Sequence, residues 1–177
     1  MSMTLIATAT VGSGGASGMT FSSIPASFTD LLVVVAARNS GSNISNSLYI
    51  RFNGDAGNNY TNRILSGNGS TVTSSRNSSN SFMNIGDDPG ANATSNTFGN
   101  TSVYIPNYAG STNKSVSSDA VTENNATTAS QQILASIWNN TSAITSIFVS
   151  DTGSNLVQNS TASLYGILRG AGGATVS

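Results

Sequence analysis

Short segments in which apolar and polar residues alternate with a period of two run through most of this chain. In the clearest of them, Leu48, Ile50 and Phe52 alternate with Tyr, Arg and Asn. Successive side chains of a β-strand point to opposite faces, so this pattern predicts half-buried strands. Strands that recur at such spacing, separated by turn residues, are typical of sandwiches and barrels. The sequence therefore predicts an all-β fold.

The sequence predicts eleven strands, nine of them from alternation and two, residues 31–37 and 131–138, from their apolar and β-branched content. The first, residues 5–11, is expected to turn Leu5, Ala7, Ala9 and Val11 inward. The others are residues 19–24, 31–37, 48–52, 60–65, 81–85, 101–105, 115–123, 131–138, 144–150 and 161–169. No internal repeat or domain boundary is evident, and the prediction is a single domain over residues 1–177 with a loose Gly-rich tail at about 170–177.

Two of these segments leave alternatives open. Residues 31–37 (LLVVVAA) are apolar on both faces, which fits a central strand or a strand covered by a neighbouring subunit. Residues 131–138 (QQILASIW) could form a short helix, because Ile133, Leu134 and Ile137 share a helical face. The β-branched content and the flanking strands favour a strand.

Turn residues separate the predicted strands. Asn53-Gly54-Asp55 and Asn68-Gly69 offer the positive-φ residues that tight hairpins require. Asp88-Pro89-Gly90 has proline and glycine at the central positions of a type II turn. We expect a chain reversal at each of the three.

The composition is unusually neutral. Hydrophobic residues make up 37% of the 177 residues and charged residues only 7%, with a net charge of -1. Disorder normally combines low hydrophobicity with high charge, so a folded chain rich in Ser, Thr, Asn and Gly is expected. The six basic residues are scattered, which argues against a nucleic-acid binder. A surface this poor in charge favours a subunit of an assembly over a free monomer.

No targeting or membrane segment is predicted. The longest apolar run, residues 31–37, is far shorter than a membrane span. The first residues lead directly into an alternating segment without a basic start or an apolar stretch typical of secretion. The expectation is a chain made in a cytosol that does not enter a membrane.

The residue inventory argues against catalysis. The chain has no histidine and no cysteine, which removes the commonest general base, metal ligands and thiolate nucleophile. Asp119 and Glu123 are the best remaining carboxylate pair, but four residues along a strand separate them by about 13 Å. That distance exceeds the spacing used in glycoside hydrolysis. We expect no enzymatic activity.

Two further kinds of site were weighed. Asp87-Asp88, or Asn53, Asp55 and Asn58, could supply oxygens to calcium, but neither group has the ordered spacing of an EF-hand loop. No cofactor is therefore expected. The aromatic residues that could stack on sugars or anchor a protein interface are Tyr49, Tyr60, Tyr104, Tyr108 and Trp138.

A resemblance adds to this reading. It is carried by TVGSGGA (10–16), FSSIPASFTDLL (21–32), RFNGDAGNNY (51–60), YIPNY (104–108), ENNAT (123–127) and ASLYGI (162–167). In these segments, and over nearly its whole length, the chain resembles small virion structural proteins of tailed bacteriophages. The resemblance implies a jelly-roll-like antiparallel β-sandwich located in the virion and made in the host bacterial cytoplasm.

The resemblance leaves two placements in the particle. One is a capsid decoration (cement) protein, a homotrimer on the major capsid protein; the other is a tail or fibre component that binds host surface glycans. The absence of repeats and of a coiled-coil stem favours decoration. No nucleic acid or membrane partner is expected. The predicted interface residues are Leu32, Val34, Arg51, Arg63, Arg76 and Trp138.

Overall fold

The structure is a computed structural model that describes residues 2–123 and 129–168, and this part of the chain consists of strands and loops without a helix. Its twelve strands are β1 (Ser2–Thr10), β2 (Met19–Phe21), β3 (Asp30–Ala37), β4 (Ser45–Phe52), β5 (Tyr60–Gly67), β6 (Val72–Asn80), β7 (Met83–Pro89), β8 (Gly99–Ile105), β9 (Lys114–Thr122), β10 (Ser130–Trp138), β11 (Ile147–Asp151) and β12 (Thr161–Leu168). The expected tail at about 170–177 lies outside the described residues.

The strands form two sheets packed face to face. The large sheet has the order β1-β12-β3-β8-β9-β10-β5-β6, and the small sheet has the order β2-β11-β4-β7. Every pair of neighbouring strands is antiparallel. The prediction of an all-β antiparallel sandwich is thus confirmed. The jelly-roll arrangement is compatible with this order and stays a prediction.

The core lies between the sheets and is built from the inward side of each alternating strand. Leu48, Ile50 and Phe52 of β4 are at most 1% exposed, as their alternation predicts. Three aromatic rings meet where β4 and β10 end and β5 begins: Trp138 lies 5.4 Å from Phe52 and stacks on Tyr60 at 6.4 Å between ring centroids. Large buried rings supply much of the apolar area that folding removes from water.

Both ambiguous segments are strands. Residues 31–37 lie in β3, between β12 and β8, so the central-strand alternative is confirmed. Leu31, Val33, Val35 and Ala37 point into the core, while the outward side chains of the same strand are half-buried. Residues 131–138 lie in β10, between β9 and β5.

The predicted facing of β1 is wrong at Leu5. That side chain is 54% exposed, whereas Ile6, Ala7 and Ala9 pack against the core. A register shift between Leu5 and Ala7 in the ladder with β12 is the cause. The extra residue of such a bulge reverses the facing of the side chains before it.

The turn predicted at Asp88-Pro89-Gly90 is also wrong. Asp88 and Pro89 belong to β7, and Pro89 is opposite Ser45 of β4. β7 is the edge strand of the small sheet, where a missing N–H is tolerated. The other two predicted turns have the expected backbone, with positive φ at Asn53, Gly54 and Gly69.

Strand β6 was not predicted. Its sequence, VTSSRNSSN, is polar on both sides and carries no alternation that could identify it. Every residue of β6 except the last is exposed, and β5 is its only neighbour in the sheet. The outer half of the β5–β6 hairpin therefore extends past the region that the small sheet covers.

Candidate interaction surface

The outward side of the large sheet, which we call the outer face, is unusually apolar. One row of ladder partners crosses all eight strands and consists of Leu5, Tyr165, Leu32, Tyr104, Ser117, Ala135, Arg63 and Arg76. Among the described residues, nine large apolar side chains are exposed. Seven of these nine lie on the outer face: Met3, Leu5, Leu65, Val72, Tyr104, Ile133 and Ile137. Such clustering marks an interaction surface, since isolated apolar side chains would be scattered.

Exposed charge is confined to the same face. Arg63 and Arg76 are exposed and stand directly opposite each other in the β5–β6 ladder. The exposed acids are Asp119 in β9 and Glu123 just after it. Across the described residues these four are the only exposed charged side chains. Like charges in directly opposed positions destabilise a sheet unless an opposite charge approaches them.

The structure brings four of the six predicted interface residues to this face. Leu32 and Val34 lie at its middle, half-buried, and Arg63 and Arg76 lie at one end. Arg51 is elsewhere, on the outward side of the small sheet. There its guanidinium stacks 5.2 Å from the Tyr49 ring centroid and its Nε donates to the Ser81 carbonyl.

Trp138, also predicted as an interface residue, is buried within this chain and does not reach the outer face. Its side chain is 0% exposed, and Nε1 donates to Asp55 Oδ2 at 2.7 Å. Trp138 is the last residue of β10, and its side chain lies on the side of that strand that faces the core. The expected sugar-stacking set shrinks for the same reason, because Tyr60 and Tyr108 are also 0% exposed.

Some residues of the outer face could not be assigned to it from the sequence. Ile133 and Ile137 point outward, while Leu134 and Trp138 of the same strand point inward. Because both faces of β10 carry large apolar residues, alternation does not reveal which one is covered. Leu65 and Val72 belong to the hairpin whose second strand has no apolar pattern. The sequence signal that could have identified the face is that β3 and β10 both carry large apolar side chains on their two faces.

The acidic residues considered for calcium are engaged in loops and in the sandwich. Asp55 accepts hydrogen bonds from Gly57 N, Asn59 Nδ2 and Trp138 Nε1. Partial burial alone would raise the pKa of Asp55, but these hydrogen bonds lower it below its usual value. Asp87 accepts from Ser47 Oγ and Gln132 Nε2, while burial raises its pKa. Within the described ranges, no group of three or more His, Cys, Asp or Glu side chains is arranged to hold a metal ion.

A buried polar cluster joins β7, β11 and the loop after β3. Asn39 Nδ2 donates to Asp88 Oδ1 at 3.2 Å, and Ser154 Oγ donates to Asp151 Oδ1 at 2.8 Å. Asn46 Nδ2 contacts both Asn39 Oδ1 and Asp151 Oδ1. Burial, together with the neighbouring Asp151 carboxylate, raises the pKa of Asp88 to about 8. The cluster ties loops to the sandwich, and its members Asn39, Asp88 and Asp151 are buried.

The carboxylate pair weighed for hydrolysis lies in the open. Asp119 is exposed on the outer face, where its ladder partners are Ile133 and Ser102. Glu123 is exposed at the end of β9. Glu123 lines an open cavity of about 370 Å³ together with Gly67, Ser130 and Gln131, but Asp119 is not among its lining residues. The two acids therefore do not face each other across one cavity, as a pair that hydrolyses a glycosidic bond must.

No family model, no curated protein and no solved structure matches this chain. Among the described residues, none of the elements is a helix long and apolar enough to cross a membrane. What the chain does must therefore be argued from its own surface.

Proposed function

We propose that this chain is a structural subunit of a tailed-bacteriophage virion, a capsid decoration protein that binds the outside of the major capsid protein lattice. The class of particle comes from the resemblance of the sequence to small virion proteins. The observation that supports an assembly role is the outer face, which gathers seven of the nine exposed large apolar side chains of the described residues.

The size of the outer face suits such a role. Eight strands about 4.8 Å apart and eight residues long at about 3.3 Å per residue cover about 34 Å by 26 Å, or about 900 Å². A stable protein interface buries about 800 Å² on each partner. The face is therefore large enough for a specific contact.

The chemistry of the face suits a permanent contact. Leu32 and Val34 lie on β3 among Ser, Thr and Tyr side chains, and the exposed charges of the described residues lie toward the β9 and β5–β6 end. Burying neutral side chains avoids the large desolvation cost of burying charges. A static lattice contact benefits from this more than a transient one, which relies on charge for fast encounter.

The proposed mechanism is mass action. A subunit that binds only the assembled, expanded lattice stabilises that state by its binding free energy. Repetition of the contact over the shell turns a modest affinity into a large gain in particle stability. No cofactor or catalytic group is required.

The test uses purified protein and expanded heads that lack it. We expect saturable binding and a higher melting temperature of the heads. Leu32→Asn and Val34→Asn should weaken binding about tenfold or more, while Thr20→Asn, an exposed change on the small sheet, should leave it unchanged. Absence of binding to heads in every maturation state would overturn the proposal.

A further inference from the structure

The charged end of the outer face has a self-complementary pattern. Arg63 and Arg76 lie on β5 and β6, and Asp119 lies on β9. β10 runs between β9 and β5, with Ile133 opposite both Asp119 and Leu65 and with Ala135 opposite Arg63. An arginine pair and an acid therefore flank an apolar strip on a single surface.

The charges at this end lie apart on one subunit. Two strand spacings and two residues separate Arg63 from Asp119, so their Cα atoms are about 12 Å apart. In the described part of the chain, Nη1 of Arg63 donates to a neutral acceptor, the Asn62 carbonyl, at 3.2 Å. The arginine pair therefore remains open to a counter-charge from a second subunit.

We propose that this end of the outer face, formed by β9, β10, β5 and β6, binds a second copy of the same chain across a two-fold axis. An axis in the plane of the interface that passes over β10 near Leu134 sets Asp119 of one copy over Arg63 of the other, and the reverse. It also brings Arg76 toward the stretch between Asp119 and Glu123. Contact through one shared patch is isologous and closes at two subunits.

The apolar strip supplies the centre of this contact. Ile133 is 56% exposed, Leu65 49% and Ile137 40%, and all three flank the proposed axis. Because the axis passes over β10, the overlap also takes in β8, and these five strands would cover about 500 Å² on each copy. The total of about 1,000 Å² is at the lower limit of specific interfaces. The dimer should therefore dissociate on dilution.

The overhang of the β5–β6 hairpin supports a partner at this end. Residues 72–79 are exposed in every position, and Arg63 and Leu65 of β5 are exposed as well. A two-stranded ribbon without a covered face is only marginally stable in water. A second copy packed against it would give this ribbon the covering layer that the small sheet does not provide.

The inference rests on the assembly role proposed for the face, but its test is separate. Sedimentation velocity at 0.1 M NaCl should show a monomer–dimer equilibrium. The double variant Arg63→Glu/Arg76→Glu should raise the dissociation constant at least tenfold, and so should Asp119→Lys. Gln158→Glu, an exposed change in the loop before β12, is the matched control and should leave the equilibrium unchanged.

The decisive measurement mixes the two variants. Each one alone places like charges across the axis, whereas a heterodimer of the two restores both opposite pairs. We expect the mixture to regain wild-type dimerisation. A monomer at all concentrations, a trimer, or a mixture that stays monomeric would overturn the inference. Binding to heads by a strictly monomeric protein would sink this inference and leave the decoration role intact.

Discussion

Asp88 and Asp151 belong to one buried cluster, linked through Asn39 and Asn46, and Oδ2 of each one is buried without a donor. Two ionised carboxylates in such a cluster repel each other, whereas a protonated Asp88 is neutral and can donate a hydrogen bond. The raised pKa of Asp88, about 8, is consistent with a proton on Asp88 at neutral pH.

This relationship predicts stability that falls as pH rises from about 4 to 8. In that window the folded state keeps a proton on Asp88 that the unfolded chain has released, so the free energy of unfolding drops by at most about 1.4 kcal/mol per pH unit. The raised pKa of Asp87 acts in the same direction. Urea unfolding at several pH values would measure the slope.

Asp88→Asn should flatten this slope, because the amide keeps the shape and can donate a hydrogen bond at every pH. The variant should be more stable than the wild type at pH 8.5. Thr20→Asn, at an exposed site of the small sheet, should keep the wild-type slope. An unchanged pH dependence in Asp88→Asn would contradict the protonation of Asp88 in the folded state.

Asp55→Ala should cost about 2–4 kcal/mol of unfolding free energy. The change leaves the buried Trp138 Nε1 without an acceptor and removes the bonds from Gly57 N and Asn59 Nδ2. Asp55→Asn keeps one acceptor oxygen but turns an NH2 group toward the remaining donors, so it should lose less than Asp55→Ala without matching the wild type. Chemical denaturation followed by Trp fluorescence would report both, and equal losses would show that the hydrogen bonds are not the cause.

Gly166→Ala should destabilise the protein by about 1–3 kcal/mol. A Cβ at this position of β12 would lie 2.3 Å from Phe28 Cγ, so the ring must move. Gly12→Ala is the matched control, since no atom lies within 4 Å of its added Cβ. Phe28→Ala removes the ring that the new Cβ would meet. Combining it with Gly166→Ala should therefore cost less than the sum of the two changes, and thermal denaturation of the wild type, the two single variants and the double variant would show it.

The outer face predicts a gain in solubility. Ile133→Thr removes apolar surface at a site that is 56% exposed, so it should leave the melting temperature within a few degrees and raise the concentration at which the free protein precipitates. Leu134→Thr is its inward neighbour and should unfold the protein. Precipitation that is the same in Ile133→Thr and the wild type would show that the face does not drive association.

The sequence could predict the strands that alternate against one covered face. β4 and β3 followed from their own residues, since Leu48, Ile50 and Phe52 have a clear phase and residues 31–37 are apolar throughout. β6 could not be predicted, because a strand exposed on both sides needs no apolar period. Leu5 was misplaced because a bulge adds one residue without leaving a trace in composition.

The candidate site was predicted only in part. Leu32, Val34, Arg63 and Arg76 reach the outer face, but the pairing of Arg63 with Arg76 depends on strand neighbours that are separated along the chain by a turn. Trp138 was predicted at the interface because a large aromatic residue next to two asparagines resembles the start of a binding loop. Trp138 is buried because it lies on the side of β10 that faces the core. The sequence of β10 does not reveal which side that is, since both sides carry large apolar residues.

The turn that joins β5 to β6 offers a place for a genetic tag. Asn68, Gly69 and Ser70 are exposed, and an added Cβ on Gly69 would meet no atom within 4 Å. Exposed turns of this kind accept insertions without loss of the fold. A short epitope inserted there would carry a gold-labelled antibody to the chain's position in an intact particle, which makes head and tail placement directly visible by electron microscopy.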